Sequence, residues 1–295
     1  MQPLFEKEPF VLPTLFQAAD GASATKQKLY LWLIRAEYAF LFISACLTLF
    51  KSSSHNFIAV NATVFVAALG AMALRAYLKP EQAWYKSRAL AESIKTLSWR
   101  FSMRAAPFDD QLVVDARRDF RETLASLLST NMELGSSLAD FDGGGPQITE
   151  TMVALRASDL HLRKEIYLEK RVRNQRGWYQ KKAKENSRAA RTWLSVAGTA
   201  YLLAIVFVLA PLHTSSLTNL PLEPVIVIAS AVLGWMQIKK FNELASAYGL
   251  TAQEIGIAEG VIEDAVDESG FTNAVNDVEL VFSREHTQWI ARQAS

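Results

Sequence analysis

The feature that most constrains the fold is a stretch of 21 residues without a charge, at 192–212. In a helix, about 20 apolar residues at 1.5 Å each cross the ~30 Å hydrocarbon core of a bilayer. A second uncharged block covers 18 residues at 57–74 and ends just before Arg75. Both blocks lack charge around the whole helix circumference, which is hard to justify in a soluble domain of this size. They predict two transmembrane helices.

Two shorter apolar blocks, 38–50 and 225–238, contain 13 and 14 residues. Blocks of this length are ambiguous alone, because the buried helices of soluble proteins have the same composition. The first reaches spanning length by including 29–34, which places Arg35 and Glu37 inside the span near one end. We expect four spans, and the alternative is four core helices of a soluble protein.

The spacing of the blocks predicts two hairpins. Short connections at 51–56 and 211–224 join the blocks in pairs, and more than 100 residues separate the pairs. The connections hold one basic residue, Lys51. The opposite ends of the spans hold Lys26, Lys28, Arg35, Arg75, Lys79, Lys86, Arg88, Arg188, Arg191, Lys239 and Lys240. Because basic residues accumulate on the cytoplasmic side, both termini and the central segment are predicted to be cytoplasmic.

Apolar residues outside the spans recur with helical spacing, as at Leu90, Ile94, Leu97 and Phe101, and no alternating strand pattern occurs. We therefore predict an all-α integral membrane protein with four transmembrane helices in two hairpins and a helical cytoplasmic bundle. The expected segments are an N-terminal cytoplasmic segment at 1–28, a first transmembrane hairpin at 29–78, a cytoplasmic helical domain at 79–191, a second transmembrane hairpin at 192–240 and C-terminal cytoplasmic helices at 241–295.

The net charge of +1 conceals two opposite patches. The basic run, 161–191, has 11 Lys or Arg against three Glu, and the acidic tail, 241–295, has 10 Asp or Glu against two Arg. Three explanations stay open. The two segments pack against each other or against a neighbouring subunit, the basic run lies near the anionic inner leaflet, or it binds a polyanion such as a nucleotide or oligonucleotide.

A Trp-Tyr pattern occurs twice, each time beside a hairpin. The first copy, Trp84-Tyr-x-x-Arg-Ala-x-Ala-Glu-Ser93, is followed by Lys95 and Trp99-Arg-Phe101. On a helix it sets Arg88 beside Glu92. This pattern resembles the SLATT family, the SMODS- and SLOG-associating two-transmembrane effector domains.

The second copy resembles another SLATT subtype. It runs from Tyr167 through Gln175 and Trp178-Tyr-x-x-Lys-Ala183 to Asn186, and Glu285-His-x-x-Trp289 follows the hairpin. Together the two subtypes cover about residues 27 to 291.

The resemblance implies a bacterial inner-membrane effector of a nucleotide-triggered anti-phage defence system. Proteins of this family are regarded as encoded beside nucleotidyltransferases or nucleotide sensors and as permeabilising the inner membrane. We expect an oligomeric pore or ion channel, gated by a nucleotide or oligonucleotide on the cytoplasmic side, that disrupts the membrane and arrests growth. Four helices of one chain do not easily enclose a water-filled channel, so we expect a homo-oligomer, with a tetramer favoured. The alternative is a non-conducting membrane-anchored scaffold or signalling protein that binds a cytoplasmic partner.

Basic and aromatic residues near the two copies are the candidate ligand contacts. The candidates for phosphate contacts are Lys86, Arg88, Lys95, Arg100, Arg104, Arg171, Arg173, Arg176, Lys181, Lys182 and Lys184. The candidates for stacking on bases are Trp84, Tyr85, Trp178 and Tyr179, with anchoring at the membrane interface as the alternative. Asn61, Thr63 and Ser230 are candidate pore-lining residues, or else contacts between packed helices.

Catalytic and metal-binding patterns are poor in this sequence. Gly143-Gly-Gly145 lacks the Lys-Ser/Thr of a phosphate-binding loop, and the single cysteine, Cys46, excludes an internal disulfide or a multi-cysteine metal site. His161 with Glu165, and Glu285 with His286, are expected to be surface pairs. We expect no enzymatic activity, no metal and no cofactor.

Overall fold

The computed structural model describes residues 10–50, 52, 54–109, 112–141, 144–213 and 220–294, with side chains up to residue 283. Lys51 and residues 214–219, both in the predicted hairpin connections, lie outside the described residues, as does Gly143. The side chains of the 285–289 motif, Glu285, His286 and Trp289, also lie outside them.

The described residues form helices and no strand. The helices are α1 (Thr14–Leu47), α2 (His55–Leu78), α3 (Pro80–Ser102), α4 (Val113–Thr130), α5 (Gly135–Leu138), α6 (Glu150–Ala157), α7 (Leu160–Ile166), α8 (Asn174–Leu209), α9 (Leu222–Lys239), α10 (Phe241–Asp264) and α11 (Glu268–Ala294). Short 3₁₀ turns occur at Thr48–Phe50, Met132–Leu134 and Ala210–Leu212, and a π-helix occurs at Tyr167–Arg173. The predicted all-α fold is confirmed.

Four helical segments of the described chain are long and apolar enough to cross a membrane. They are Thr14–Phe50, His55–Ser102, Leu160–Leu212 and Leu222–Asp264. Each contains one of the four apolar blocks, so the two short blocks do reach spanning length inside longer helices. This confirms the four predicted spans.

The second and fourth apolar blocks end in the same way. α2 is followed by Lys79 and α9 by Lys240, and both lysines have a left-handed backbone, with φ of 43° and 45°. Their backbone N–H groups donate to the carbonyl oxygens of Arg75 and Met236. A left-handed residue ends the α-helical hydrogen bonding, and a new helix starts directly after each lysine. Each of the two hairpins is therefore followed by the same kind of backbone turn.

The chain divides into two compact units. One unit, here called the span unit, comprises the described residues of 28–80 and 181–247 and contains the four apolar blocks. The other, here called the core unit, comprises those of 10–27, 81–180 and 248–294.

The charges that the sequence places within the first span of the span unit have partners. Glu37 of α1 forms an ion pair of 3.0 Å with Arg75 of α2. The guanidinium of Arg35 lies 5.3 Å from the ring centre of Trp235 in α9. Opposite charge and the aromatic face lower the cost of holding these groups near the end of a span.

The core unit has two clusters of buried apolar side chains. In the first, the Trp99 ring stacks on Phe10 at 4.1 Å, and Tyr167 meets Trp99 edge-on at 5.7 Å. The second contains Leu90, Ile94 and a group of three phenylalanines from α3, α4 and the connection between them. The apolar stripes predicted from the sequence thus face buried cores rather than solvent.

Candidate functional site

The basic run contains the π-helix Tyr167–Arg173, whose cations lie in two different environments. Its buried side includes Tyr167 and Arg171, whereas Lys170 and Arg173 are exposed. The wider turn of a π-helix changes which side chains share a face, and such turns frequently occur at functional sites.

The exposed Arg173 and the half-buried Arg176 of the basic run pair with the acidic tail. Arg173 donates to Glu259 over 2.6 Å and to Glu263 over 2.8 Å, and Arg176 donates to Glu259 over 2.9 Å. Burial raises the pKa of the Glu259 carboxyl, but the hydrogen bonds from both arginines outweigh it and hold that pKa below its ordinary value. For these residues, packing through opposite charge is the explanation that the structure supports.

Arg171 forms a buried ion pair with Glu279 of α11. Its Nε and Nη2 donate to the two carboxylate oxygens over 2.9 and 2.7 Å, and both side chains are at most 1% exposed. Glu279 also accepts hydrogen bonds from Thr96 at 2.8 Å and Tyr167 at 3.0 Å. Although burial lowers the pKa of Arg171, Glu279 raises it overall, while burial followed by Glu279 raises the pKa of Tyr167 well above 10.

This burial corrects one expectation. A phosphate contact needs an accessible guanidinium, and Arg171 is enclosed and already used by Glu279. Arg171 is therefore part of the buried core and is not available as a ligand contact.

The candidate cations at the start of α3 also have acidic partners. Lys86 pairs with Glu133. Arg88 pairs with Asp20 at 2.8 Å and with Glu92 at 2.6 Å. The Arg88–Glu92 pair confirms the neighbours expected from helical spacing.

The candidate cations near the end of α3 contact the rest of the core unit. The Lys95 amine lies 3.7 Å from Glu92. Burial, and then the positive charge of Arg171, lower the pKa of Lys95 to about 8. The guanidinium of Arg100 donates to the backbone carbonyl of Asn276 at 3.4 Å.

Arg104 follows α3 and has a left-handed backbone, with φ of 57°. Its Nε donates to the backbone carbonyl of Arg156 over 2.8 Å. This hydrogen bond fixes the connection after α3 against the end of α6. The Arg104 side chain is partly exposed.

The four candidate aromatic residues form two pairs of neighbours. Trp84 and Tyr85 have ring centres 4.6 Å apart. Trp178 and Tyr179 have ring centres 5.0 Å apart, and both contact Tyr248 at 5.6 Å. Tyr179 is 7% exposed, so it packs in the core rather than offering a face to a base, whereas Trp178 remains exposed.

The last three candidates of the basic run belong to the span unit. Lys182 pairs with Glu185 at 2.7 Å, and Lys181 reaches the same carboxylate at 4.0 Å. Lys184 lines an open pocket with Arg188 and Arg191. No hydrogen bond or ion pair within the described residues uses the side chains of Lys184, Arg188 and Arg191.

The three candidate pore-lining residues differ in their surroundings. Asn61 accepts a hydrogen bond of 2.6 Å from Ser44 of α1 through its Oδ1. Thr63 donates to the carbonyl of Ala59 in its own helix over 2.8 Å, and both Thr63 and Ser230 are exposed on the span unit. Asn61 thus joins two helices, while Thr63 and Ser230 face outward from a single chain.

Glu279 is the central residue that the reasoning from sequence missed. It lies four residues after Val275 and three before Phe282, within an apolar stripe of α11. A carboxylate inside an apolar stripe indicates a buried and paired charge. The total charge of the acidic tail does not reveal this residue, whereas its position within the stripe does.

Comparison with protein families gives two matches that follow one another along the chain. Residues 13–164 match the family described as SMODS and SLOG-associating 2TM effector domain 3, SLATT_3. Residues 167–289 match SMODS and SLOG-associating 2TM effector domain 1, SLATT_1. Searches of curated proteins and of solved structures gave no match. The two matches confirm the resemblance, including its two subtypes in tandem.

Proposed function

Because the chain belongs to the SLATT family and carries two SLATT domains in tandem, we propose that it is a bacterial inner-membrane effector of nucleotide-triggered anti-phage defence. It is a multi-pass membrane protein with both termini in the cytoplasm. Several copies assemble into a pore or ion channel, with a tetramer as the favoured assembly. A nucleotide or oligonucleotide from a partner nucleotidyltransferase controls the pore, and the resulting ion flux arrests growth.

The observation that carries this proposal is the presence of two effector domains, each described as having two transmembrane helices, in a chain with four candidate spans. One chain contributes too few helices to surround a water-filled channel, which is why the proposal includes an oligomer. Thr63 and Ser230, exposed on the span unit, are available to face another copy or a lumen. The effector acts on the membrane rather than as an enzyme.

The ligand surface of this proposal centres on Arg173 and Arg176. Glu263 pairs with the exposed Arg173 at the surface, where an ion pair stabilises a protein by about 0–1 kcal/mol. Glu259 contacts both arginines, and its carboxylate is only 12% exposed. A phosphate is the same kind of charge-assisted acceptor as these carboxylates, so a polyanion with several phosphates competes with them for both arginines. Trp178, two residues after Arg176, remains exposed and is the candidate for stacking on a base.

Displacement of Glu259 and Glu263 is also a means of control. Arg176 and the uncharged stretch after Arg191 both belong to α8. A ligand that binds one arrangement of α8 and α10 more tightly than another shifts the population toward it.

Binding of labelled cyclic and linear di- and trinucleotides to the protein in lipid nanodiscs tests this surface. Arg173→Glu with Arg176→Glu is expected to weaken binding at least tenfold, because two phosphate contacts become repulsive. Glu259→Gln with Glu263→Gln is expected to tighten binding, because the competing carboxylates are gone.

The matched control is Arg118→Glu, since Arg118 is an exposed arginine of α4 with its own ion pairs to Asp115 and Asp119. It is expected to leave binding unchanged. Equal affinity of the wild type and the Arg173/Arg176 variant would assign these arginines to packing alone. Failure of all these nucleotides to bind the wild type would remove the ligand from the proposal.

A further inference from the structure

The span unit contains an open basic pocket that the ion pairs of the acidic tail leave unused. Its volume is about 430 Å³, and it is lined by Ala183, Lys184, Ser187, Arg188, Arg191 and Ala245. All but Ala245 belong to α8, and Ala245 belongs to α10. The small side chains of Ala183, Ser187 and Ala245 leave the space that the three cations surround.

The three cations share one face of α8. Lys184, Arg188 and Arg191 follow one another at intervals of four and three residues, the spacing of neighbours on a helix surface. All three are exposed, and no hydrogen bond or ion pair to their side chains occurs in the part of the chain that the structure describes. The nearest carboxylate in sequence, Glu185, forms its ion pair with Lys182 at 2.7 Å and also attracts Arg188 electrostatically without a direct contact. Three positive charges around one pocket favour an anionic group there.

The position of the pocket along α8 indicates where that anion comes from. The uncharged stretch begins directly after Arg191, so the hydrocarbon core of the membrane ends near this residue. At 1.5 Å per residue, Arg188 lies about 6 Å and Lys184 about 12 Å beyond the start of the stretch. The headgroup layer on each side of a bilayer is about 5–8 Å thick, and the flexible stem of lysine covers the remaining distance. The pocket is therefore level with lipid phosphates.

We infer that Lys184, Arg188 and Arg191 bind the phosphodiester headgroup of an anionic phospholipid. Arginine presents paired donors that match phosphate oxygens, and basic residues next to a span are attracted to anionic lipid. A soluble oligonucleotide shares the phosphate chemistry, but it has no need of a pocket that borders the hydrocarbon core. The site does not depend on conduction, because a non-conducting membrane protein would carry it equally.

Native mass spectrometry of the full chain in a neutral detergent tests the site. The protein is titrated with phosphatidylglycerol, cardiolipin or zwitterionic phosphatidylcholine. The wild type is expected to retain at least one anionic lipid tightly and phosphatidylcholine only weakly. Lys184→Gln with Arg188→Gln and Arg191→Gln is expected to weaken the anionic lipid on the order of 100-fold, through the loss of three attractive charges.

The matched control removes three exposed cations of the core unit, by Lys170→Gln, Arg118→Gln and Arg121→Gln. It loses the same charge and is expected to keep the lipid. Thermal unfolding in phosphatidylcholine alone reports whether each variant is folded. Millimolar inorganic phosphate and the dinucleotides used for ligand binding are added as competitors and are expected not to release the lipid.

Two results would overturn the inference. One is anionic lipid bound equally by the wild type and the pocket variant, both folded. The other is a dinucleotide or inorganic phosphate that needs the three cations while phosphatidylglycerol and cardiolipin do not. The second result would show that the pocket binds a soluble anion rather than a lipid. Binding at the Arg173/Arg176 surface would still be tested by its own variants.

Discussion

Three arginines, Arg156, Arg163 and Arg171, are among the largest fully buried side chains of the described structure. Arg156 uses one nitrogen to donate to the carbonyls of Phe101 and Phe108, over 2.8 and 2.7 Å. It thereby holds the connection after α3 in place. Burying a guanidinium is costly unless acceptors meet its donors, so each of these arginines fixes the position of the backbone carbonyl or carboxylate that it contacts. Nη1 of Arg171 has no hydrogen-bond acceptor within the described residues.

Arg171 and Glu279 illustrate what burial of a charge pair costs. Removing one partner of a buried pair leaves an uncompensated charge and destabilises a protein by about 3–5 kcal/mol, whereas replacing both is often neutral. We expect Arg171→Met and Glu279→Leu each to lower the thermal unfolding temperature in detergent by several degrees or more. The double variant is expected to be more stable than either single variant. If the loss of unfolding temperature in the double variant equalled the sum of the losses in the two single variants, the pairing of Arg171 with Glu279 would be contradicted.

Lys95 provides a prediction of pH dependence. Burial, and then Arg171, lower its pKa from 10.5 to about 8. Below pH 8 the folded state carries the full cost of the buried charge. Between about pH 8 and 10.5 the unfolded chain holds a proton that the folded chain has released, so this residue adds stability as pH rises.

Comparison with Lys95→Met isolates this contribution. We expect the variant to unfold at a higher temperature than the wild type at pH 7, and the difference to narrow by pH 9.5. Thermal unfolding of both proteins in the same detergent measures it, and the other titrating groups cancel in the difference. A difference that is constant across this pH range would show that Lys95 keeps its ordinary pKa.

At the scale of helices, most of the helices could be predicted from the sequence, but most of the ion pairs between them could not. Length, absence of charge and helical periodicity predict α2 and the span of α8 directly, because these properties belong to single segments. Ion pairs such as Arg173–Glu259 join residues that are distant in sequence, so they depend on how helices pack. Total charge indicated that the basic run and the acidic tail attract each other. It did not distinguish Arg171, which is buried, from the pocket cations, which are open.

Two glycines in the spans test helix packing within the span unit. A Cβ added at Gly234 of α9 would collide with the hydroxyl of Tyr38 in α1, whereas a Cβ at Gly198 of α8 would meet nothing within 4 Å. We expect Gly234→Ala to destabilise the protein by about 1–3 kcal/mol, the usual cost of overpacking. Gly198→Ala is the matched control and is expected to be neutral or slightly stabilising. Thermal unfolding in detergent measures both, and equal stability of the two variants would count against the contact between α1 and α9.

At the scale of the whole molecule, the near-zero net charge results from segments with separate roles. Part of the basic run pairs with the acidic tail, and part of it lies in a pocket beside a span without an acidic partner in the described chain. The tandem SLATT domains, each described as having two transmembrane helices, account for the two hairpins. The four spans of one chain do not easily enclose a water-filled lumen. The proposed ion conduction therefore requires several copies of the chain.

Ion flux from liposomes that contain the purified protein tests whether the protein forms an ion channel controlled by a nucleotide. Flux is measured with and without the cyclic and linear di- and trinucleotides, for the wild type, the Arg173→Glu/Arg176→Glu variant and the Arg118→Glu control. We expect the wild type and the control to conduct ions and a nucleotide to change the flux, whereas the Arg173/Arg176 variant loses this response. Absence of flux under every nucleotide condition, from liposomes shown to contain inserted protein, would contradict the channel and favour a membrane-anchored scaffold.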